Sequence, residues 1–461
     1  MYGRQKNKKS KRGRKRDTMK TMFKRITAVG MVLILSLALC ACSSEKNEKN
    51  TEPTAVVTSE PVKDETTPAV TEETQPTEEV KPTEEVQPTE EVTPEATPEI
   101  TDEPAQPAEI EITDMIGRTV KVTPGSYTKV VCIGAGALRM YCYIGDVNNL
   151  CGVEDIDNET LAERPKMFDA TPRPYVIAYG DVFATLPSCG VGGPNAQAAE
   201  AEKILSCNPD IVISEYEDVE KEDALQEQLG VPVITMKVGP GGVFDNNFKG
   251  SMRLLGTIFG NEEKAEALVS FVESEQAEIT SRTAGIAEED KPSVYICGLG
   301  NWGTTNHLMT AQNYNVFNIA NVKNAVNDLE KDGIQAIEEE KFVSLGDAMD
   351  IIIIDAAALK NIKPLFAENP QMFDTCKAWT NGEVYLEMPY NAYYTNFEAA
   401  LANTWFIAKT VYPEAFADID MTAKTNEITK QFLGKEIADQ IFSKPTSMGG
   451  YQKIDTSAFA N

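Results

Sequence analysis

Histidine is almost missing from this chain of 461 residues: His307 is the only one. Zinc and manganese cages draw most of their ligands from imidazole, so a multi-histidine metal site is excluded. So, away from that one residue, are a Ser-His-Asp triad and an H-E-x-x-H helix. Past Cys42 seven cysteines remain, an odd number with no CxxC pair. Cys132 and Cys297 fall in apolar strand-like runs and read as small buried hydrophobes, while a bridge such as Cys132 to Cys151 stays open. No P-loop is present, so no nucleotide chemistry is expected of the chain itself. Basic charge is scarce, with 43 Lys and Arg against 71 Asp and Glu and a net charge of -28. Phosphate binding needs a basic footprint, so nucleic acid is excluded as a partner. Lying flat on anionic lipid is disfavoured for the same reason. Nor is there a long hydrophobic run: residues 26–39 fall short of the about 20 apolar residues a permanent span needs.

That short run is informative in its setting. Twelve Lys and Arg against one acid, Asp17, occupy the chain up to Cys42, and the run closes on Leu39-Cys40-Ala41-Cys42. A basic segment stays on the cytoplasmic face, a short apolar stretch enters the bilayer, and a small residue before a cysteine fits the signal peptidase. Cys42 is the expected lipid acceptor, because choosing Cys40 would put bulky Leu39 at the cut. An uncleaved anchor is the alternative, and either way the rest of the chain faces outward. Residues 43–109 are Thr, Glu, Pro and Val, with Gln75-Pro76-Thr77-Glu78-Glu79-Val80 recurring twice. Regular proline and repeated like charge keep such a segment extended and coreless, a spacer lifting a domain off the membrane.

The folded part opens with an alternating hairpin around Asp114-Met115-Ile116-Gly117. Apolar runs at 129–134, 210–214 and 231–236 then alternate with helical stretches at 137–144 and 219–229. A second cycle has strand-like runs at 293–297, 350–355 and 382–386. Strand and helix in alternation imply largely parallel sheets covered on both faces. Between the cycles, 244–286 lacks a strand signal. Gly260 interrupts it, Asn261 suits an N-cap, and a helix over 261–283, roughly 35 Å long at the standard rise, can bridge two lobes. The fold class expected is α/β, two doubly wound lobes joined by a single long backbone helix. Its parts are a leader (1–42), a linker (43–109), a first lobe (110–240), a helical connector (241–290) and a second lobe (291–461).

Four stretches carry a family resemblance: Asp114-Met115-Ile116-Gly117-Arg118; Cys132-Ile133-Gly134-Ala135-Gly136-Ala137-Leu138-Arg139; Ala201-Glu202-Lys203-Ile204-Leu205 through Asn208-Pro209-Asp210-Ile211-Val212-Ile213; and Pro389-Tyr390-Asn391-Ala392-Tyr393-Tyr394-Thr395-Asn396. In this order, with the leader and the linking helix, the chain resembles the helical-backbone class (class III) of periplasmic-binding-protein-like lipoproteins. These serve ABC importers for iron chelates, haem, vitamin B12 and, in one branch, molybdate or tungstate. The resemblance implies a ligand in the cleft between lobes, small closing motions, and no catalytic residue. It also implies membrane subunits of an ABC importer as partners and no cofactor beyond the lipid. Two exposed glutamates for docking follow from it, Glu202 on the first lobe and Glu340 on the second.

Ligand contacts in open α/β sheets sit at the carboxyl ends of strands. In the first lobe that points to the helix opened by Gly134-Ala135-Gly136, with Arg139 one turn in and its N–H groups offered to an anion. The loop 173–179, with Tyr175 and Tyr179, and Tyr216 beside Glu215 add to that rim. In the second lobe, the Gly- and Asn-rich loop 298–307 offers Trp302 and His307, the latter as a direct ligand or a satisfied structural residue. Tyr390, Tyr393 and Tyr394 cluster before a helix capped near Thr395 or Asn396. They suit a flat chelate or phenolate-assisted iron binding. The expected activity is delivery of an iron chelate, of siderophore or haem type, by a monomer on the outer face of the cytoplasmic membrane. A molybdate-type oxyanion or a corrinoid is the alternative within that class. A surface sensor or adhesin, or an enzyme processing a metal complex, is the alternative outside it.

Overall fold

Alternation over the first folded residues gives an antiparallel hairpin, β1 (Ile110–Thr113) with β2 (Thr119–Val122), pairing Ile110 with Val122. In this computed structural model, which describes residues 108–196, 198–238, 244–300 and 305–459, the turn is locked by Asp114. Its carboxylate accepts from the backbone of Ile116 and Arg118 and from Arg118 Nε at 2.9 Å. The leader with Cys42, the spacer and Trp302 lie outside the described residues.

The first sheet holds β3 (Val130–Ile133), β4 (Leu150–Glu154), β5 (Ser188–Gly190), β6 (Ile211–Ser214) and β7 (Val233–Thr235), in the order β5-β4-β3-β6-β7 and parallel throughout. Every residue of β3 and β6 is buried, as unbroken apolar runs require of strands covered on both faces. Helices α1 (Ala137–Ile144), α2 (Pro174–Phe183), α3 (Ala201–Ser206) and α4 (Val219–Leu229) make the crossovers. The chain winds outward from β3 to β5 and returns to β6 on the other side of β3. Loops leaving β3 and β6 therefore diverge and open a crevice. Segment 173–179, expected as a loop, is the start of α2, because Pro174 at the first helical position has the right φ and no N–H to lose.

The second sheet draws on β8 (Ser293–Cys297), β10 (Lys323–Asn324), β12 (Ile351–Asp355), β13 (Val384–Glu387) and β14 (Gln452–Lys453), ordered β10-β8-β12-β13-β14. Only the last pair is antiparallel. Strands β9 (Met309–Gln312) and β11 (Gly333–Ala336) form a separate antiparallel ribbon. All seven described cysteines are free, and Cys132 and Cys297 are buried in their strands.

Between the lobes run α5 (Asn246–Phe259) and α6 (Glu262–Thr283), separated by Gly260 at φ 65°. Asn261 sits at the N-cap position but does not cap: its Nδ2 donates to the Ile144 carbonyl of the first lobe. The far end of α6 reaches the second lobe, where Asn321 donates to the Thr283 carbonyl. This strut is not the sole link. Helices Phe397–Val411 and Met421–Leu433 fold back onto α5 and the first lobe, placing Phe397 4.5 Å from the Phe248 ring of α5 and Phe432 4.9 Å from the Tyr143 ring of α1. Trp405 Nε1 donates to Glu275 of α6 at 2.7 Å, and Lys424 pairs with the same carboxylate. One apolar cluster thus runs through both lobes, and a dense shared core resists large hinge motion.

Candidate functional site

At the crevice between β3 and β6 lies a cavity of about 440 Å³. Gly134 and Ala135 after β3, and Glu215, Tyr216 and Glu217 after β6, form one wall. Phe168 and the 193–196 turn close a side, and Asn391, Tyr393 and Tyr394 of the second lobe face them. The strand-end rule thus locates the wall on the first lobe, and the segment after β13 supplies the opposite one.

That segment is held in an unusual backbone shape. Tyr393 and Tyr394 take φ of 55° and 65°, a left-handed conformation costing a residue with a side chain about 1–3 kcal/mol. Arg139 fixes it. Fully buried, its guanidinium donates to Asn396 Oδ1 (3.0 Å) and to the carbonyls of Thr395 (2.8 Å), Ala392 (2.9 Å) and Tyr393 (2.7 Å). The Tyr393 phenol donates to Glu154 Oε2 at 2.7 Å and accepts from the Gly193 N–H at 2.9 Å. Glu154 Oε1 accepts from Gly134 N–H at 3.1 Å. One carboxylate therefore joins the turn after β3 to the second lobe. Burial pushes Glu154 up to about 7, against the pull of these hydrogen bonds. Burial, with Glu217 beside it, pushes Glu215 further, to about 9.

Of the side chains expected at the ligand, Tyr216, Tyr393 and Tyr394 come together on the cavity wall. The others are placed elsewhere. Arg139 is a staple between lobes, and the Gly134 N–H expected to meet an anion is already taken by Glu154. Tyr175 is buried and donates to Asp157 Oδ1 at 2.7 Å; Tyr179 donates to the Leu433 carbonyl at 2.6 Å. Tyr390 is buried with its phenol beside Tyr314. His307 is enclosed by Met372, Phe342 and Phe373, with Nε2 3.0 Å from the Met372 sulfur, and burial lowers its imidazole to about 4. It is a core residue whose burial disfavours the protonated imidazole. Glu202 and Glu340 are both exposed in the first turns of α3 and helix Glu339–Ser344. Sequence reasoning missed Phe168, the 193–196 turn and Glu154. Gly192-Gly193-Pro194 was a readable turn signal after β5, whereas nothing local marks Glu154. Among the described residues no group of three or more His, Cys, Asp or Glu is placed to hold a metal ion.

Residues 130–389 match a protein family described as periplasmic binding protein. No curated protein matches the sequence. Among solved structures, a periplasmic solute binding protein from Veillonella parvula is similar at TM-score 0.56 and 19% identity, covering 73% of this chain and 96% of that one. The molybdate-bound periplasmic binding protein MolA from Haemophilus influenzae gives 0.52 and 16%, covering 71% and 98%. The TroA-like periplasmic binding protein FepB from Veillonella parvula gives 0.51 and 21%, covering 71% and 97%. At these identities the likeness is one of fold.

Proposed function

The chain belongs to the periplasmic binding protein family, and from that premise we propose that it captures a small metal complex in the cleft between its lobes and delivers it to an ABC importer. The observation that carries this reading is the two-sided cavity, with Tyr216 from one lobe and Tyr393 and Tyr394 from the other. Aromatic faces beside a few polar groups suit a solute that must be held and then released. An iron chelate is the preferred cargo; an oxyanion of molybdate type or a corrinoid is the alternative. The three similar structures are all periplasmic binding proteins, and one was solved with molybdate.

The chain is proposed to act outside the cytoplasmic membrane, tethered by lipid on Cys42, with Glu202 and Glu340 meeting basic residues of the importer. No bond is made or broken by it. Two experiments test this. Replacing Tyr216 and Tyr394 with Ala should weaken ligand binding, read by intrinsic fluorescence, at least about tenfold, since aromatic contacts dominate such sites; unchanged affinity contradicts the cleft as the site. Cys42→Ser should abolish lipid labelling, and continued labelling contradicts the tether.

A further inference from the structure

The charge of the cavity wall narrows what can enter it, an inference resting on the reading of this cleft as the solute site. Among its described lining residues there is no Lys, Arg or His, but there are two carboxylates, Glu215 and Glu217, and four aromatic rings. Glu217 has a partner, Lys237, at 3.1 Å. Among the described residues Glu215 has no ion pair, and its carboxyl accepts from the Val238 backbone. It is 8% exposed and faces the cavity after β6.

The groups that bear on it are few. Glu217 on its own segment and Glu154 at the end of β4 repel its charge; Arg139 of α1 attracts it. The phenols of Tyr216 and Tyr394 are the other titratable neighbours. Arg139 spends its donors on the 392–396 segment, so it offers little to a ligand. At the helix entrance the Gly134 N–H is already bound by Glu154. An anion entering here would meet no Lys, Arg or His among the described lining residues, whereas a cation finds in Glu215 a carboxyl it can ionise.

We infer that this cleft selects a positively charged ligand, whose cationic group sits against Glu215 and between the rings of Tyr216 and Tyr394. Such a group gains from the aromatic faces as well as from the carboxylate. In the free protein Glu215 holds its proton at neutral pH, with burial setting its acid strength to about 9. A cation drives that proton off, so binding releases one proton and affinity rises with pH up to that value. The cation belongs either to a metal complex of net positive charge or to an organic ammonium, and the two share this chemistry.

The test titrates the full chain with four probes by calorimetry: ferrioxamine B, a hydroxamate iron complex made singly positive by its free amine; a triply negative iron tris-catecholate; molybdate; and tetraethylammonium, carrying no metal. The expected result is tighter binding of ferrioxamine B than of either anion, by at least about tenfold, with affinity rising between about pH 6 and about pH 9. Proton release is read by repeating the titration in buffers of different ionisation heat, which needs no variant. Glu215→Gln should cut ferrioxamine B affinity about tenfold and flatten its pH dependence. Binding of tetraethylammonium at similar affinity assigns the selectivity to organic cations; its failure beside ferrioxamine B assigns it to the metal complex. Tighter binding of the catecholate or molybdate, lost in Tyr216→Ala, overturns the charge selectivity while leaving the solute-binding reading standing. Binding of none of the four overturns the charge selectivity, and the solute-binding reading is then decided by the Tyr216 and Tyr394 replacements.

Discussion

Arg139 of the first lobe and Tyr393 of the second are joined by a hydrogen bond from Nη2 to the Tyr393 carbonyl, 2.7 Å long. The same guanidinium reaches three more acceptors of that segment, so one buried side chain holds two consecutive left-handed residues in place. The site's shape thus depends on a residue outside the described lining of the cavity.

Arg139→Met should therefore lower stability by at least about 3 kcal/mol, because three buried acceptors and one half-buried one lose charge-assisted donors. Urea denaturation checks it: the midpoint falls with the slope unchanged. A loss under about 1 kcal/mol would mean that the segment is held by its neighbours instead. Arg139→Lys should fall in between, since an ammonium cannot reach the same spread of acceptors.

Tyr394 is 52% exposed and pays the left-handed cost for its place on the cavity wall. Glycine is free of that cost, so Tyr394→Gly should hold stability or raise it by up to about 1 kcal/mol while weakening ligand binding. Tyr394→Val, β-branched, should lose about 1–2 kcal/mol at the same position. Equal stabilities for the two variants would contradict the strain.

Stability should fall as pH rises from about 4 to about 7. Burial raises Glu154, Glu222 and Asp355 each to about 7. Glu387, paired in register with Asp355, is raised too, by burial and then by Asp355, and neither of its carboxyl oxygens has a hydrogen-bond partner. The folded state thus holds protons that the unfolded chain gives up near the ordinary carboxyl value of about 4. The contribution is complete below that value and disappears as pH climbs through the folded one, at about 1.4 kcal/mol per pH unit per group. Urea midpoints across this range check the slope, and Glu387→Gln should flatten it. A slope of opposite sign would mean that these carboxyls are ionised in the fold.

His307 works the other way. Its lowered value of about 4 means the fold resists protonating it, so its contribution is lost as pH falls from about 6.5 towards 4. His307→Met should remove that acid-side loss and leave ligand affinity within about twofold, measured by the same titrations. A large affinity loss would restore it as a ligand.

Elements were legible where a single period dominated. The runs 137–144, 219–229 and 293–297 are the helices α1 and α4 and the strand β8, because each carries one buried face or is buried throughout. The cavity wall was half legible. Tyr216, Tyr393 and Tyr394 stand where strand-end reasoning puts them, but Arg139 is buried in contacts across the lobes, and Tyr175 and Tyr390 are buried within their own lobes against Asp157 and Tyr314. The Arg139 contacts join residues more than two hundred positions apart, as Arg139 to Asn396 does, and no local pattern encodes them. The same holds for the fold-back of helices Phe397–Val411 and Met421–Leu433, whose apolar faces do not name the partner they cover.

The most direct test is native mass spectrometry of the full chain purified from its own host, unmodified and as Tyr216→Ala/Tyr394→Ala. The account predicts a one-to-one non-covalent adduct on the unmodified protein, released chemically intact on unfolding and absent from the double variant. An adduct retained at equal occupancy by the double variant, or released in altered chemical form, would contradict it.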